Sequence, residues 1–167
     1  MNAPGRPPAA QAGLRRIERS AALPAPRFLY SPAVQAGSDV YISGLVGLDP
    51  ASGRLAEGGA GEQTRRIFLN LRALCEEQGW PVERIVVARV YCAGREAADG
   101  MNQAWGEFFR EIPPPARTFS VVESLPLGAA VEIEFQLSIA RRFGHRAAGA
   151  MLFFTSGMPA GGCVSRH

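Results

Sequence analysis

Val131–Ile139, written VEIEFQLSI, decides the fold. Val131, Ile133, Phe135, Leu137 and Ile139 alternate without a break with Glu132, Glu134, Gln136 and Ser138. Successive side chains of a strand point to opposite faces, so this segment has one face for a core and one polar face. The apolar face must be covered by another layer.

Working outward, two segments supply that layer. From Glu62 to Gln78 the apolar residues Ile67, Phe68, Leu71, Leu74 and Cys75 fall at i, i+1, i+4, i+7 and i+8, a single helical stripe. Gly79 suits the position after the last turn, and Pro81 forbids continuation. Asp99–Arg110 repeats the spacing at Met101, Ala104, Trp105, Phe108 and Phe109, with Asp99 as expected N-cap and Pro113–Pro115 beyond its end. Each helix has one apolar face, so both cover the same side of a sheet. Further strands are expected at Asp39–Val46, Arg84–Tyr91 and Arg117–Glu123, a short first one at Leu14–Glu18, and a turn at Asp49–Gly53. The order is strand, helix, strand, helix, strand, strand: a two-layer α+β sandwich with a mixed sheet and two helices on one face.

Composition narrows the chemistry. The 167 residues contain no lysine, which removes Schiff-base chemistry, and the only histidines, His145 and His167, stand outside the patterned region. A Ser–His–Asp triad, a Cys–His dyad or a histidine zinc site in the body is thereby excluded, and no phosphate-cradling glycine loop occurs. No metal or cofactor is expected. Cys75, Cys92 and Cys163 lack CxxC spacing and read as free thiols, Cys75 on the core face of its helix. No apolar run is long enough to span a bilayer, so no membrane partner is expected. The net charge of +3 is spread over single or paired arginines, which argues against a dedicated nucleic-acid binder. Residues 1–13 read as a disordered lead-in without a secretory signal; the arginine-rich, acid-poor amino terminus alternatively suggests an organellar transit peptide. Residues 143–167 read as a Gly-rich flexible tail with a short apolar patch at Met151–Phe154, the alternative being that it docks on a partner subunit. The expected location is the cytoplasm. Arg, Asp, Glu, Asn, Tyr, Ser and backbone groups remain for any chemistry.

Five collinear segments then resemble one family. YSPAVQAGSDVYISG (Tyr30–Gly44), QTRRIFLNLRALCEEQG (Gln63–Gly79), MNQAWGEFF (Met101–Phe109), PPPARTFSVVESLP (Pro113–Pro126) and VEIEFQLSIA (Val131–Ala140) are similar to the reactive-intermediate deaminase (RidA/YjgF) family, over about Leu14 to Arg142. The resemblance implies a chorismate-mutase-like fold, a homotrimer with pockets at the subunit interfaces, and cofactor-free hydrolysis of 2-imino or 2-enamino acids. The polar row of Val131–Ile139 is then either solvated or turned toward a subunit contact and pocket. An endoribonuclease activity, claimed for some relatives, gains nothing from this charge distribution.

The resemblance also assigns residues. Arg117 matches the family's carboxylate-binding arginine; otherwise it is a surface residue of an edge strand. A guanidinium offers two parallel N–H donors to a carboxylate. Glu132 matches the pocket glutamate, able to orient a water and move its proton. Glu134 lies on the same face, where its charge opposes ionisation of Glu132, unless one or both pair with arginine. Ser43 and Gly44 match an element that completes the pocket, and Asn102 either joins it or ties a loop. Three positions depart from the pattern. Ala33 stands where a pocket tyrosine is expected, with Tyr30 nearby; Leu45 replaces a glutamine; and Phe119, on the face of Arg117, enters the pocket or a subunit contact. Two functions follow: a deaminase of small 2-imino acids with altered substrate range, or a non-catalytic trimeric sensor of small carboxylates.

Overall fold

The computed structural model describes residues 13–139. Most of the lead-in, the tail, both histidines and Cys163 lie outside the described residues. Six strands form one sheet: β1 (Leu14–Ile17), β2 (Ala33–Ala36), β3 (Asp39–Val46), β4 (Ile85–Ala93), β5 (Ala116–Val122) and β6 (Val131–Ser138). Two helices, α1 (Gly59–Gln78) and α2 (Ala97–Phe108), cover one face. The sheet order is β1-β2-β3-β6-β4-β5. β6 inserts antiparallel between β3 and β4, whereas β5 runs parallel to β4 after the crossover through α2. The sheet is mixed, as the sequence implied.

On β6 the buried set Val131, Ile133, Phe135 and Leu137 faces the helices, and the four polar residues between them are half-buried on the other side. The Phe135 ring meets Phe68 of α1, whose own ring stacks on Phe108 at 4.0 Å between centroids. Trp105 and Phe109 close the cluster edge-on to Phe68. Cys75 is buried in the core as expected, and burial pushes its thiol up to about 12.

Three details differ from the sequence reading. α1 starts three residues before Glu62, because Gly58 at φ 99° turns the chain into the helix without a side-chain cap. Asp99 is not an N-cap: the first turn begins at Ala97 after Glu96, and Asp99 sits inside it, where its charge complements the helix dipole. β2 is an additional strand. It forms a hairpin with β3 across Gly37 and Ser38, with Gly37 at φ 61°.

The junction between β3 and α1 is tight and fixes the start of β6. A Cβ on Gly47 would lie 2.6 Å from both the Cα and the carbonyl oxygen of Gln63. The buried Gln63 in turn accepts the Ala130 N–H on Oε1 at 2.8 Å, one residue before β6. Backbone cannot give way as a side-chain tip does. Gly47→Ala is therefore expected to destabilise the fold by about 1–3 kcal/mol, read as a lower denaturation midpoint at unchanged slope.

Candidate functional site

The site begins with an irregularity in β3. Ile42 pairs with Phe135 and Leu45 with Ile133, so Ser43 and Gly44 together oppose the single residue Glu134. This β-bulge explains why Ile42 and Leu45, three apart, both face the core. It also brings bare backbone under the neighbouring carboxylate. A Cβ on Gly44 would lie 2.7 Å from Glu132 Cδ and closer still to Oε1. Only glycine leaves room for the Glu132 side chain there.

Glu132 stands between Val46 of β3 and Tyr91 of β4, on the face away from the helices. Burial, and secondarily the charge of Glu134, raise its pKa above the ordinary carboxyl value. Glu134 itself lies 3.7 Å from Arg89, its cross-strand partner on β4. The two acids therefore have different surroundings.

Glu132 is part of the lining of a cavity of about 350 Å³. Ser43, Gly44 and Leu45 line it from β3, Phe28 and Tyr30 from the preceding loop, and Pro126 and Leu127 from the turn before β6. Ser43 secures that loop: its Oγ donates to the Ser31 carbonyl at 2.8 Å and its N–H to the Pro32 carbonyl at 3.0 Å. Leu127 holds φ 61°, ψ 16°, alone among the described non-glycine residues in having a positive φ. That conformation costs a leucine about 1–2 kcal/mol.

Arg117 is elsewhere. It lies on β5, the last strand of the sheet, opposite Ala88 of β4. Ala88 is buried toward the helices, and it is an odd number of residues from Tyr91, the partner of Glu132. Arg117 and Glu132 thus leave the sheet from opposite faces with β4 between their strands. Arg117 turns to α2, where Nη1 donates to Asn102 Oδ1 at 2.9 Å and Cζ lies 4.8 Å from the centre of the Trp105 ring. With one edge held by Asn102, the remaining donors of the guanidinium stay available. Phe119, two residues along, lies on the same face and is 38% exposed.

The six residues singled out in the sequence therefore form two groups within one chain: Ser43, Gly44 and Glu132 at the cavity, and Arg117, Asn102 and Phe119 at the other side and edge. Asn102 takes the tying role, on Arg117 rather than on a loop. Ala33 is fully buried opposite Ile42, so its position belongs to the core and not to a pocket. The tyrosine at the cavity is Tyr30, whose place in the Tyr30–Gly44 motif was the available signal. Trp105, on the core face of its helix, stands three residues from Asn102, the helical spacing that signals their shared contact with Arg117. Among the described residues no group of three metal-binding side chains occurs and no helix is long and apolar enough to cross a membrane.

Comparison with known proteins agrees with this fold. The profile of the family described as endoribonuclease L-PSP matches residues 20–139. A RutC family protein of Aquifex aeolicus is 38% identical over 112 residues, 66% of this chain and 89% of the relative. A goat protein named 2-iminobutanoate/2-iminopropanoate deaminase is 36% identical over 121 residues, 72% of this chain and 88% of the relative. The crystal structure of RidA from an Antarctic Psychrobacter superposes with a TM-score of 0.69 at 35% identity, covering 75% of this chain and all (100%) of that one.

Proposed function

The chain belongs to the endoribonuclease L-PSP family, and on that premise we propose that it is a cytoplasmic, cofactor-free deaminase. Its substrates are small 2-imino or 2-enamino acids, which it hydrolyses to 2-keto acids and ammonium. The observation that carries this reading is Glu132: a half-buried carboxyl with a raised pKa, seated on bare backbone beside an apolar cavity. The name of the goat relative supports the same chemistry.

In this reading the substrate carboxylate rests on Arg117, whose charge is fixed and whose planar donors match it. Glu132 orients a water and accepts its proton as the oxygen bonds to the electrophilic carbon. That proton then passes to the nitrogen of the carbinolamine formed from the protonated imine. As the carbon–nitrogen bond breaks, its electron pair leaves with ammonia and the hydroxyl oxygen becomes the keto oxygen. The hydroxyl proton, taken up through Glu132, converts the ammonia to ammonium. One water is consumed and no electrons change hands, so no redox cofactor is required.

Because Arg117 and Glu132 leave opposite faces of one sheet, the reading places the working site between protomers of a homotrimer. Arg117 at the β5 edge of one protomer meets the cavity of its neighbour. The partly exposed Phe119 and Val121 on that edge strand support such a contact. Freshly generated 2-iminopropionate, or a larger analogue, should yield keto acid faster with the protein than without it. No acceleration across that panel overturns the deaminase assignment.

A non-catalytic carboxylate sensor is the second reading, favoured by the partial exposure of Phe119 beside Arg117. Tight 2-keto acid binding by calorimetry with no turnover decides for it. The placement of Tyr30 at the cavity removes one reason for preferring it.

A further inference from the structure

We propose that the cavity beside Glu132 selects a 2-imino acid with a large apolar side chain, and that Leu127 sets this selectivity. The inference rests on the deaminase reading of the site and names its substrate class.

Leu127 is held at φ 61° and is followed by Gly128 at φ 72°. A left-handed turn of this kind is a natural place for glycine, since a β-carbon crowds the following carbonyl. Residues kept in such conformations need compensation from their surroundings, and they concentrate at binding sites. The core supplies none here, because the Leu127 side chain is 43% exposed. It lines the cavity instead, with Phe28, Tyr30, Pro126 and the buried Leu23. The strained backbone therefore presents an apolar side chain to a ligand.

The size of the cavity agrees. A volume of about 350 Å³ greatly exceeds the single methyl group of an alanine-derived imino acid. An isobutyl or benzyl group covers the apolar wall, and each methylene buried strengthens binding about fourfold. The lining holds one acid, Glu132, and one cation, so it carries no net charge to favour an acidic substituent over an apolar one. Arg27, the one cation in the lining, directs Nη2 to the Gly53 carbonyl at 3.2 Å.

The test measures dissociation constants of 2-keto acids by calorimetry, with pyruvate, 4-methyl-2-oxopentanoate, phenylpyruvate and 2-oxoglutarate as probes. Wild type should bind the branched or aromatic acid at least tenfold more tightly than pyruvate. In Leu127→Gly, which relieves the backbone strain, that ratio should shrink at least fivefold; Leu127→Ala should shrink it by less. Pyruvate or 2-oxoglutarate binding as tightly as the apolar acids overturns the proposal. So does an unchanged ratio in Leu127→Gly, or no binding of any probe. Affinity needs no turnover. A protein that hydrolyses no imine but keeps this ranking refutes the deaminase reading and sustains the selectivity.

Discussion

Arg117→Ala is expected to lower kcat/KM for imine hydrolysis by about a hundredfold to a thousandfold, the consequence of removing the charge-assisted partner of the substrate carboxylate. Keto-acid affinity should fall with it, and Arg117→Lys should recover only part, because an ammonium lacks the paired planar donors. Asn102→Ala, which frees one edge of the guanidinium, should cost about fivefold in affinity, the size of one hydrogen bond. A mixing experiment goes further. If each site takes Arg117 from one protomer and Glu132 from the next, inactive Arg117→Ala and inactive Glu132→Gln chains refolded together form some intact sites. At equal amounts, random assembly of a symmetric trimer restores about a quarter of wild-type activity. Mixtures that stay inactive would place both groups in one protomer's site, contrary to their projection from opposite faces.

Glu132→Gln is expected to reduce turnover by about 10²- to 10⁴-fold, the range for loss of a general base, with keto-acid affinity retained. Stability should move the other way. Burial and the Glu134 charge raise the native pKa of Glu132, so the folded chain holds that proton more firmly than the unfolded chain. The stabilisation from this group is complete below the ordinary glutamate pKa and is lost as pH rises through the raised native value. At neutral pH the ionised carboxylate therefore opposes folding. Glu132→Gln should melt no lower than wild type at pH 7, and its advantage should vanish on acidification below about pH 4. A variant that melts distinctly lower at neutral pH contradicts this account.

The sheet and helices were legible because their patterns are long. β6 alternates over its whole length, and the stripes of α1 and α2 each span several turns. β2 was not legible as a strand, since two of the four residues of AVQA are alanines, which are depleted in strands, and the segment stops at the Gly37–Ser38 turn. Arg117 and Glu132 were identified as residues, but their separation was not, because it depends on β4 lying between their strands. Neither the placement of Tyr30 at the cavity nor the left-handed Leu127 carries a periodic signal. Local sequence there is compatible with an ordinary turn.

The bulge in β3 has a last consequence. Ile42 and Leu45 already sit in register on either side of it, so a chain lacking one of Ser43 or Gly44 would run as a regular ladder with the same partners and the same core. Such a shorter strand keeps the core pairing and gives up either the Ser43 bonds that secure the loop or the bare backbone under Glu132. One residue of strand length therefore separates architecture from chemistry.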